Sequence, residues 1–375
     1  MRVTLISKAC IVGAYQTKLE AIATHDDIEL TVVVPPYWQE HRHKLILEKS
    51  HTAGYNLYVI PLAFNGHYHL HYYPTLSHVL RLSAPDVCHI DEEPYNLATW
   101  LAVRAGRRAG AKTVLFTWQN LLRRYPPPFA LFERYVYRHT DAMIAGNHEA
   151  LCVLRAKGYE GPIEVIPQFG VDPHLFCPSR NQRDRVFTIG YAGRLVPEKG
   201  LLTLFEALRR LEGEWRWLVC GRGPLKRTLQ ERLASAGLAE RAQFHDWVPA
   251  EEMPSYLNRM HVLVLPSRTR PNWKEQFGRV LVEAMACEIP VIGSDSGEIP
   301  NVIGPAGLIF PEGDAKALAE HLAALRDDLL RRRELGRLGR ERVLAHYTQQ
   351  RIAAETVALY RRVYEGTARG AKGSA

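Results

Sequence analysis

The sequence predicts an α/β protein made of two doubly wound parallel-sheet domains. Three observations lead there. Short apolar runs alternate with helical patterns along almost the whole chain, the rhythm of parallel sheets covered on both faces. The polar stretch 178–185 breaks that rhythm into two parts. A length of 375 residues, 46% of them hydrophobic, suffices for two cores of ordinary size.

Taken in chain order, strands are expected near 2–7, 28–34, 55–61, 86–91, 111–116, 140–145 and 163–166. A second series follows near 186–192, 216–220, 243–247, 262–266, 290–293 and 307–310. Past Asp314 the pattern turns helical, and a last helix starting at Thr348 carries Ile352, Val357, Leu359, Tyr360 and Val363. The reading is therefore a first domain over 1–180, a second over 181–347, a closing helix over 348–366 and a frayed tail over 367–375.

Bulk composition narrows the function classes. No apolar run reaches transmembrane length. Met1-Arg2 leads straight into Val3-Thr4-Leu5-Ile6, without the apolar region and cleavage site of a secretory signal. The six cysteines are scattered, which reads as buried free thiols in a reducing cytoplasm. The formal charge is +8, but it is spread along the chain and no nucleic-acid-binding module accompanies it.

Chemistry concentrates in the second half. Glu275 and Glu283 stand eight residues apart across a loop-to-helix junction, after the strand-like run 262–266. About 7.5 Å of helix rise separates Gly278 from Glu283, and the amides of Phe277, Gly278 and Arg279 lie at a helix N-terminus, which stabilises an anion. Carboxylates accept hydrogen bonds from hydroxyls and free amides hold phosphate, so the pattern suits a nucleotide-diphospho-sugar. On spacing alone it equally suits a solvated helix face. Upstream, Gly193-Arg194 and Lys199-Gly200 bracket a strand-to-helix loop in which a diphosphate would meet two cations. Gly221-Arg222-Gly223-Pro224 ends another strand without completing the dinucleotide fingerprint. The run Phe244 to Pro249 offers backbone to a base edge.

These motifs, in this order, resemble the retaining glycosyltransferases of family 4, which have the two-Rossmann GT-B architecture with domains facing a cleft. The resemblance rests on Gly193-Arg194, Lys199-Gly200, Gly221-x-Gly223-Pro224, Pro266-Ser267, Glu275-x-Phe277-Gly278, Glu283-Ala284-Met285-Ala286 and Gly297-Glu298-Ile299-Pro300. It is dense from about Pro167 to Gly313 and thin before it. It implies that Arg194 and Lys199 neutralise the donor diphosphate, and that Glu275, with the amides of Phe277 and Gly278, holds the donor sugar. Glu283 would bind the ribose, the turn at Gly221 and the backbone near Val248 would line the nucleotide, and Gly13 would approach the phosphates. The resemblance also implies retention without a metal ion or other cofactor, and a last helix that packs back on the first domain. No Asp-x-Asp signature is present.

The first domain is less explicit. His89, Glu92 and Gln119 are the acceptor-side candidates, although Glu92 and Glu93 read equally well as exposed caps of the following helix. His67, His69 and His71 would share one face on a strand; metal binding, a sugar-stacking surface and an ordinary polar loop all stay open. Basic residues including Arg104, Arg124, Arg134 and Arg138 interleave with aromatics from Trp100 to Tyr137. That face would suit an anionic membrane surface and a lipid-linked acceptor, while Phe129, Phe132 and Val136 also have core-facing spacing. The leading functional reading is a cytoplasmic glycosyltransferase, with peripheral association at the inner face of the membrane left open, using a UDP- or GDP-sugar and a glycan or lipid-linked acceptor. A GT-B sugar-nucleotide epimerase and a non-catalytic scaffold are the alternatives.

Overall fold

The computed structural model of the chain describes residues 1–40, 43–179 and 186–372. Two units emerge: Met1–Gly170 together with the C-terminal segment from Gln349, and Val171–Thr348.

The strands of the first unit are β1 (Arg2–Ser7), β2 (Glu29–Val34), β3 (Tyr37–Glu40), β4 (His43–Ile46), β5 (Asn56–Val59), β6 (Val87–Asp91), β7 (Lys112–Thr117), β8 (Ala142–Ala145) and β9 (Ile163–Val165). Seven of them form a parallel sheet in the order β5-β2-β1-β6-β7-β8-β9. The antiparallel hairpin β3–β4 stands apart. Its helices are α1 (Gly13–Ala23), α2 (Leu76–Ser83), α3 (Leu97–Arg108), α4 (Phe129–His139) and α5 (His148–Ala156).

The second unit holds β10 (Phe187–Ala192), β11 (Trp215–Cys220), β12 (Ala242–His245), β13 (Val262–Leu265), β14 (Val291–Ser294) and β15 (Leu308–Phe310). They form a parallel sheet ordered β12-β11-β10-β13-β14-β15. Its helices are α6 (Leu201–Leu208), α7 (Leu225–Ser235), α8 (Met253–Leu257), α9 (Arg279–Ala286), α10 (Ile299–Ile303), α11 (Ala315–Asp327) and α12 (Leu329–His346). The chain ends in α13 (Gln349–Lys372), which belongs to the first unit.

Period-2 alternation explains the double-sided cores. Val3 and Leu5 of β1 join Leu19 and Ile22 of α1 and Ile352, Val357 and Tyr360 of α13. Ile6 faces the other way, toward Leu80, Val103 and Leu154. Each fully buried aliphatic side chain on α13 contributes about 1.5–3 kcal/mol, which accounts for the return of the C-terminal helix to the first sheet.

In both sheets the strand order reverses beside the first strand, between β1 and β6 and between β10 and β13. Such a switch point opens a crevice at the carboxyl ends of the strands, where ligands bind.

Several expectations need correction. The chain passes between units at Gly170–Val171 rather than near 180: Gln349 exchanges two hydrogen bonds with Gly170, and Val171 donates to the Tyr347 carbonyl at 2.8 Å. Most of the expected linker, residues 180–185, lies outside the described residues, as do 373–375 of the expected tail; 367–372 are helical. All six cysteines are free, but Cys152 and Cys177 are exposed rather than buried. No helix among the described residues is long and apolar enough to cross a membrane.

Candidate functional site

The second unit's switch point gathers the strongest sequence candidates. Lys199 ends the loop after β10, and its ammonium lies 2.5 Å from the Glu275 carboxylate and 5.1 Å from the centre of the Trp273 ring. Ser267, buried just past β13, donates to the same Glu275 oxygen at 2.8 Å. Glu275 is only 7% exposed. A buried carboxylate with these two donors is held in one orientation.

Two glycines permit this meeting. Gly200 has φ +68°, and a Cβ there would lie 1.7 Å from the Pro266 carbonyl oxygen. Its absence lets the β10–α6 loop rest on the end of β13, where Arg268 donates to the Glu198 carbonyl at 2.8 Å. Gly297 has φ +54°, with a Cβ position 2.1 Å from the Glu275 carbonyl oxygen. The loop after β14 therefore closes on Glu275, and Glu298 donates to that carbonyl at 3.1 Å.

Arg194 shares the loop with Lys199, but its side chain is 65% exposed and its guanidinium stands 3.8 Å from Glu198. Tyr191 fixes its backbone by donating to the Arg194 carbonyl at 2.7 Å. A cation so placed can turn toward an external anion. Gly221 donates to the His245 carbonyl at 2.7 Å, lacing the ends of β11 and β12. Phe277 packs edge-on against Tyr347, with ring centres 5.7 Å apart. Gly278 ends the loop in the left-handed region, and the helix itself begins at Arg279.

Glu283 lies one turn into α9, 2.8 Å from the Arg279 guanidinium. Burial pushes its carboxyl up, and Arg279 works against that shift. Val248 is half-buried and packs against the core. Its neighbour Trp247 is 70% exposed, an aromatic face the sequence reading passed over. Its signal was present: an aromatic just past a strand's carboxyl end.

The first unit has its own cavity of about 370 Å³ at the ends of β1 and β6, with Lys8, Trp38, Glu93 and Trp118 in its lining. Of the acceptor-side candidates, only Glu92 lines it. Glu92 is fully enclosed, 2.5 Å from the Lys8 ammonium and 3.4 Å from His71 Nε2. Burial pushes its carboxyl up, but Lys8 and His71 outweigh that and hold it at about 2. Glu93 accepts from the Thr117 hydroxyl and the Trp118 amide, so neither glutamate is the exposed helix cap weighed from sequence.

His89 lies within β6, as the expected bounds 86–91 have it; it is buried on the face shared by Val87 and Asp91, and its Nδ1 meets the Tyr360 hydroxyl of α13 at 2.5 Å. Burial drives its pKa well below the usual 6.5, with Lys18 adding to the shift. Its Nε2 is buried with no hydrogen-bond partner among the described residues. Gln119 is also buried and donates to the Tyr125 hydroxyl at 3.2 Å. The Gly13 amide donates to the Glu48 carboxylate, so the N-terminus of α1 already carries an anion of its own.

The three alternating histidines lie in a turn, not on a strand. Leu70 and His71 both donate backbone hydrogen bonds to the His67 carbonyl. His71 points to Glu92, whereas His69 meets Tyr95 and Tyr125 edge-on and Phe129 at a tilt. No group of three or more His, Cys, Asp or Glu among the described residues is placed to hold a metal ion.

Residues 178–342 match the family model of the glycosyl transferases group 1, and residues 13–169 that of the glycosyl transferase 4-like domain. The chain is 31% identical over 372 residues to a GDP-mannose-dependent alpha-(1-6)-phosphatidylinositol monomannoside mannosyltransferase of Mycolicibacterium smegmatis, covering 89% of this chain and 91% of that one. It is 28% identical over 249 residues to a putative colanic acid biosynthesis glycosyltransferase of Escherichia coli, covering 64% and 60%. Anabaena HepE, solved in complex with UDP, shares the fold with a TM-score of 0.75 at 16% identity, over 96% of this chain and 99% of that one. With the GT-B fold and both family signatures in place, the chain belongs to the group 1 glycosyltransferases of the family 4 type.

Proposed function

We propose that the protein moves a sugar from a nucleotide-diphospho-sugar, UDP- or GDP-linked, to a glycan or lipid-linked acceptor, with retention at the anomeric carbon and without a metal ion. The observation that carries this reading is the Lys199–Glu275–Ser267 cluster at a sheet switch point, beside an exposed Arg194.

As the bond to the diphosphate lengthens, negative charge builds on the leaving group. Fixed cations stabilise that charge without reorganising. Lys199 supplies one, and Arg194 turns from Glu198 to supply the other. Glu275, oriented by Ser267, accepts hydrogen bonds from the donor sugar's hydroxyls. Retention follows from attack on the face the diphosphate leaves, the donor phosphate taking the acceptor's proton. Glu283 and the exposed face of Trp247 are the nearest candidates for ribose and base. In the first unit the cavity bounded by Trp38 and Trp118 offers stacking walls for an acceptor sugar, with Glu93 as a polar contact.

The setting we propose is cytoplasmic assembly of a cell-surface polysaccharide, lipopolysaccharide or glycolipid, in line with the names of the mannosyltransferase and colanic acid relatives. The first relative's name makes GDP-mannose the first donor to try, with UDP-sugars next. A thermal-shift screen over both classes is expected to show stabilisation by one of them. Nucleotide release should then require an added acceptor. Release of an isomerised sugar nucleotide without acceptor would indicate an epimerase, and no stabilisation by any donor would overturn the proposal.

A further inference from the structure

The wall that Trp118 gives the first unit's cavity of about 370 Å³ is fixed at several points. Trp118 donates from its indole Nε1 to the Gln168 side-chain oxygen at 2.8 Å, and from its backbone amide to Glu93 at 2.9 Å. Its ring rests against Gly146, where a Cβ would come within 2.3 Å of it, and Phe116 meets it edge-on. Gln168 is held in turn. Its side-chain amide donates to both oxygens of Asp91, at 2.7 and 2.9 Å, and its carbonyl accepts from the Lys18 ammonium at 3.0 Å. Ser7 completes the network by donating to Asp91 at 2.6 Å. An indole braced at its nitrogen, its backbone and its ring keeps its remaining surface in one place.

The charges around this wall have a sign. Among the lining residues described, Lys8 is the single cation, and Glu92 takes it up. Asp91 and Glu93 have no ion-pair partner among the described residues. Glu93 receives one donor on each oxygen, the Trp118 amide and the Thr117 hydroxyl, so each oxygen keeps a lone pair for another. Ionised carboxylates accept hydrogen bonds and cannot donate them. A sugar ring brings hydroxyl donors for Glu93 and an apolar face for the indole. A carboxylate or phosphate would instead bring further negative charge to a partly buried place that has no cation left to neutralise it.

Building on the acceptor role proposed for this cavity, we infer that it takes an uncharged sugar residue as the accepting end of the acceptor and rejects residues bearing carboxylate or phosphate, with Gln168 and Asp91 as positioning residues for Trp118. Any phosphate of a lipid-linked acceptor then lies beyond that residue. The test is a tryptophan-fluorescence titration of the full chain at pH 7.5 without donor. Its probes are the methyl glycosides of glucose, galactose and mannose, their uronic-acid counterparts and their 6-phosphates. At least one neutral glycoside is expected to quench the emission, with its uronide and phosphate binding at least about tenfold more weakly. Glu93→Gln keeps an acceptor for the Trp118 amide and a partner for Thr117 while removing a charge, and should narrow that gap several-fold. Gln168→Met fills the same space but frees the indole. It should weaken sugar binding about tenfold in the same titration, and in transfer assays raise the acceptor KM rather than lower kcat. Stabilisation by the donor should match wild type in both variants, since neither residue belongs to the second unit. Quenching without any donor-induced stabilisation would sink the donor reading and leave this one standing. Absence of quenching by every neutral glycoside, equal binding of neutral and anionic sugars, a gap that Glu93→Gln leaves unchanged, or full affinity in Gln168→Met would each overturn the inference.

Discussion

The two units share a strand order, yet the loop after the first strand serves opposite ends in them. In the second unit, the loop leaving β10 presents Arg194 to solvent and sets Lys199 against a carboxylate that one hydroxyl braces. In the first, the loop leaving β1 turns Lys8 inward onto Glu92, and Glu48 fills the N-terminus of α1. Topology places strand ends at a crevice in both cases. What the crevice can bind depends on whether its charges are spent internally or left for a ligand.

The largest test of that contrast pairs two lysines. Lys199→Ala should lower kcat/KM by about 10²–10³-fold if the cation stabilises leaving-group charge. It should also cost about 3 kcal/mol of stability in urea unfolding, because Glu275 is left buried without its cation. Lys8→Ala should cost a similar amount for the same reason while sparing donor affinity. Arg194→Ala is the cleaner probe, since an exposed side chain can be removed with little effect on melting. Near-normal turnover in both Lys199→Ala and Arg194→Ala would break the comparison.

Next in size is a pair of glycines. Gly297→Ala forces a side chain into a left-handed position and against the Glu275 carbonyl, and should cost about 2–3 kcal/mol. Gly13→Ala adds no left-handed strain, but its Cβ would meet the side chains of Ser50, the Cβ at 2.9 Å included, and Glu48, and it should cost about 1 kcal/mol. Equal losses in thermal unfolding would show that Glu275 is not held by the loop beneath it.

A smaller effect concerns pH. His89 stays neutral in the folded state because burial depresses its pKa, whereas the unfolded chain takes up a proton near 6.5. Its contribution is therefore complete above about pH 6.5 and is lost as pH falls, at up to about 1.4 kcal/mol per unit. His245 of the second unit is shifted the same way by burial, but it is less enclosed. Urea unfolding at pH 7.5 and 5.5 should show the loss, and His89→Asn should reduce the slope. A slope unchanged by that substitution would remove His89 as its source.

The smallest expected change sharpens the comparison most directly. Glu48→Ala should cost about 1 kcal/mol through the loss of a helix-terminal anion, with donor affinity within about twofold of wild type. Several-fold tighter donor binding would mean that the Gly13 amide takes the phosphate after all.

Legibility followed apolar pattern more than burial: β5 was expected although three of its four residues are exposed. The sheet strands were readable because each is a short apolar run between turn residues, and β13 with its flanks carries the candidate site. Hairpin β3–β4 escaped because all four residues of β4 are exposed and carry no period-2 pattern. Lys199 and Glu275 were readable from the motifs around them, but their contact was not, since it spans 76 positions. The surroundings of His89 and Glu92 were unreadable for a related reason: they come from Tyr360 and His71, at other places in the chain.

The order of residues alone settled the alternation of strands and helices, the parallel sheets and the loops that bear Arg194, Lys199 and Glu275, because these depend on local periodicity and turn chemistry. Tertiary structure alone decided which charges are consumed within the fold. Lys8 and Gly13 are neutralised by carboxylates from elsewhere, whereas Arg194 remains exposed beside the Lys199–Glu275 pair. Burial and ion pairing are properties of neighbours in space, and no window of sequence contains them.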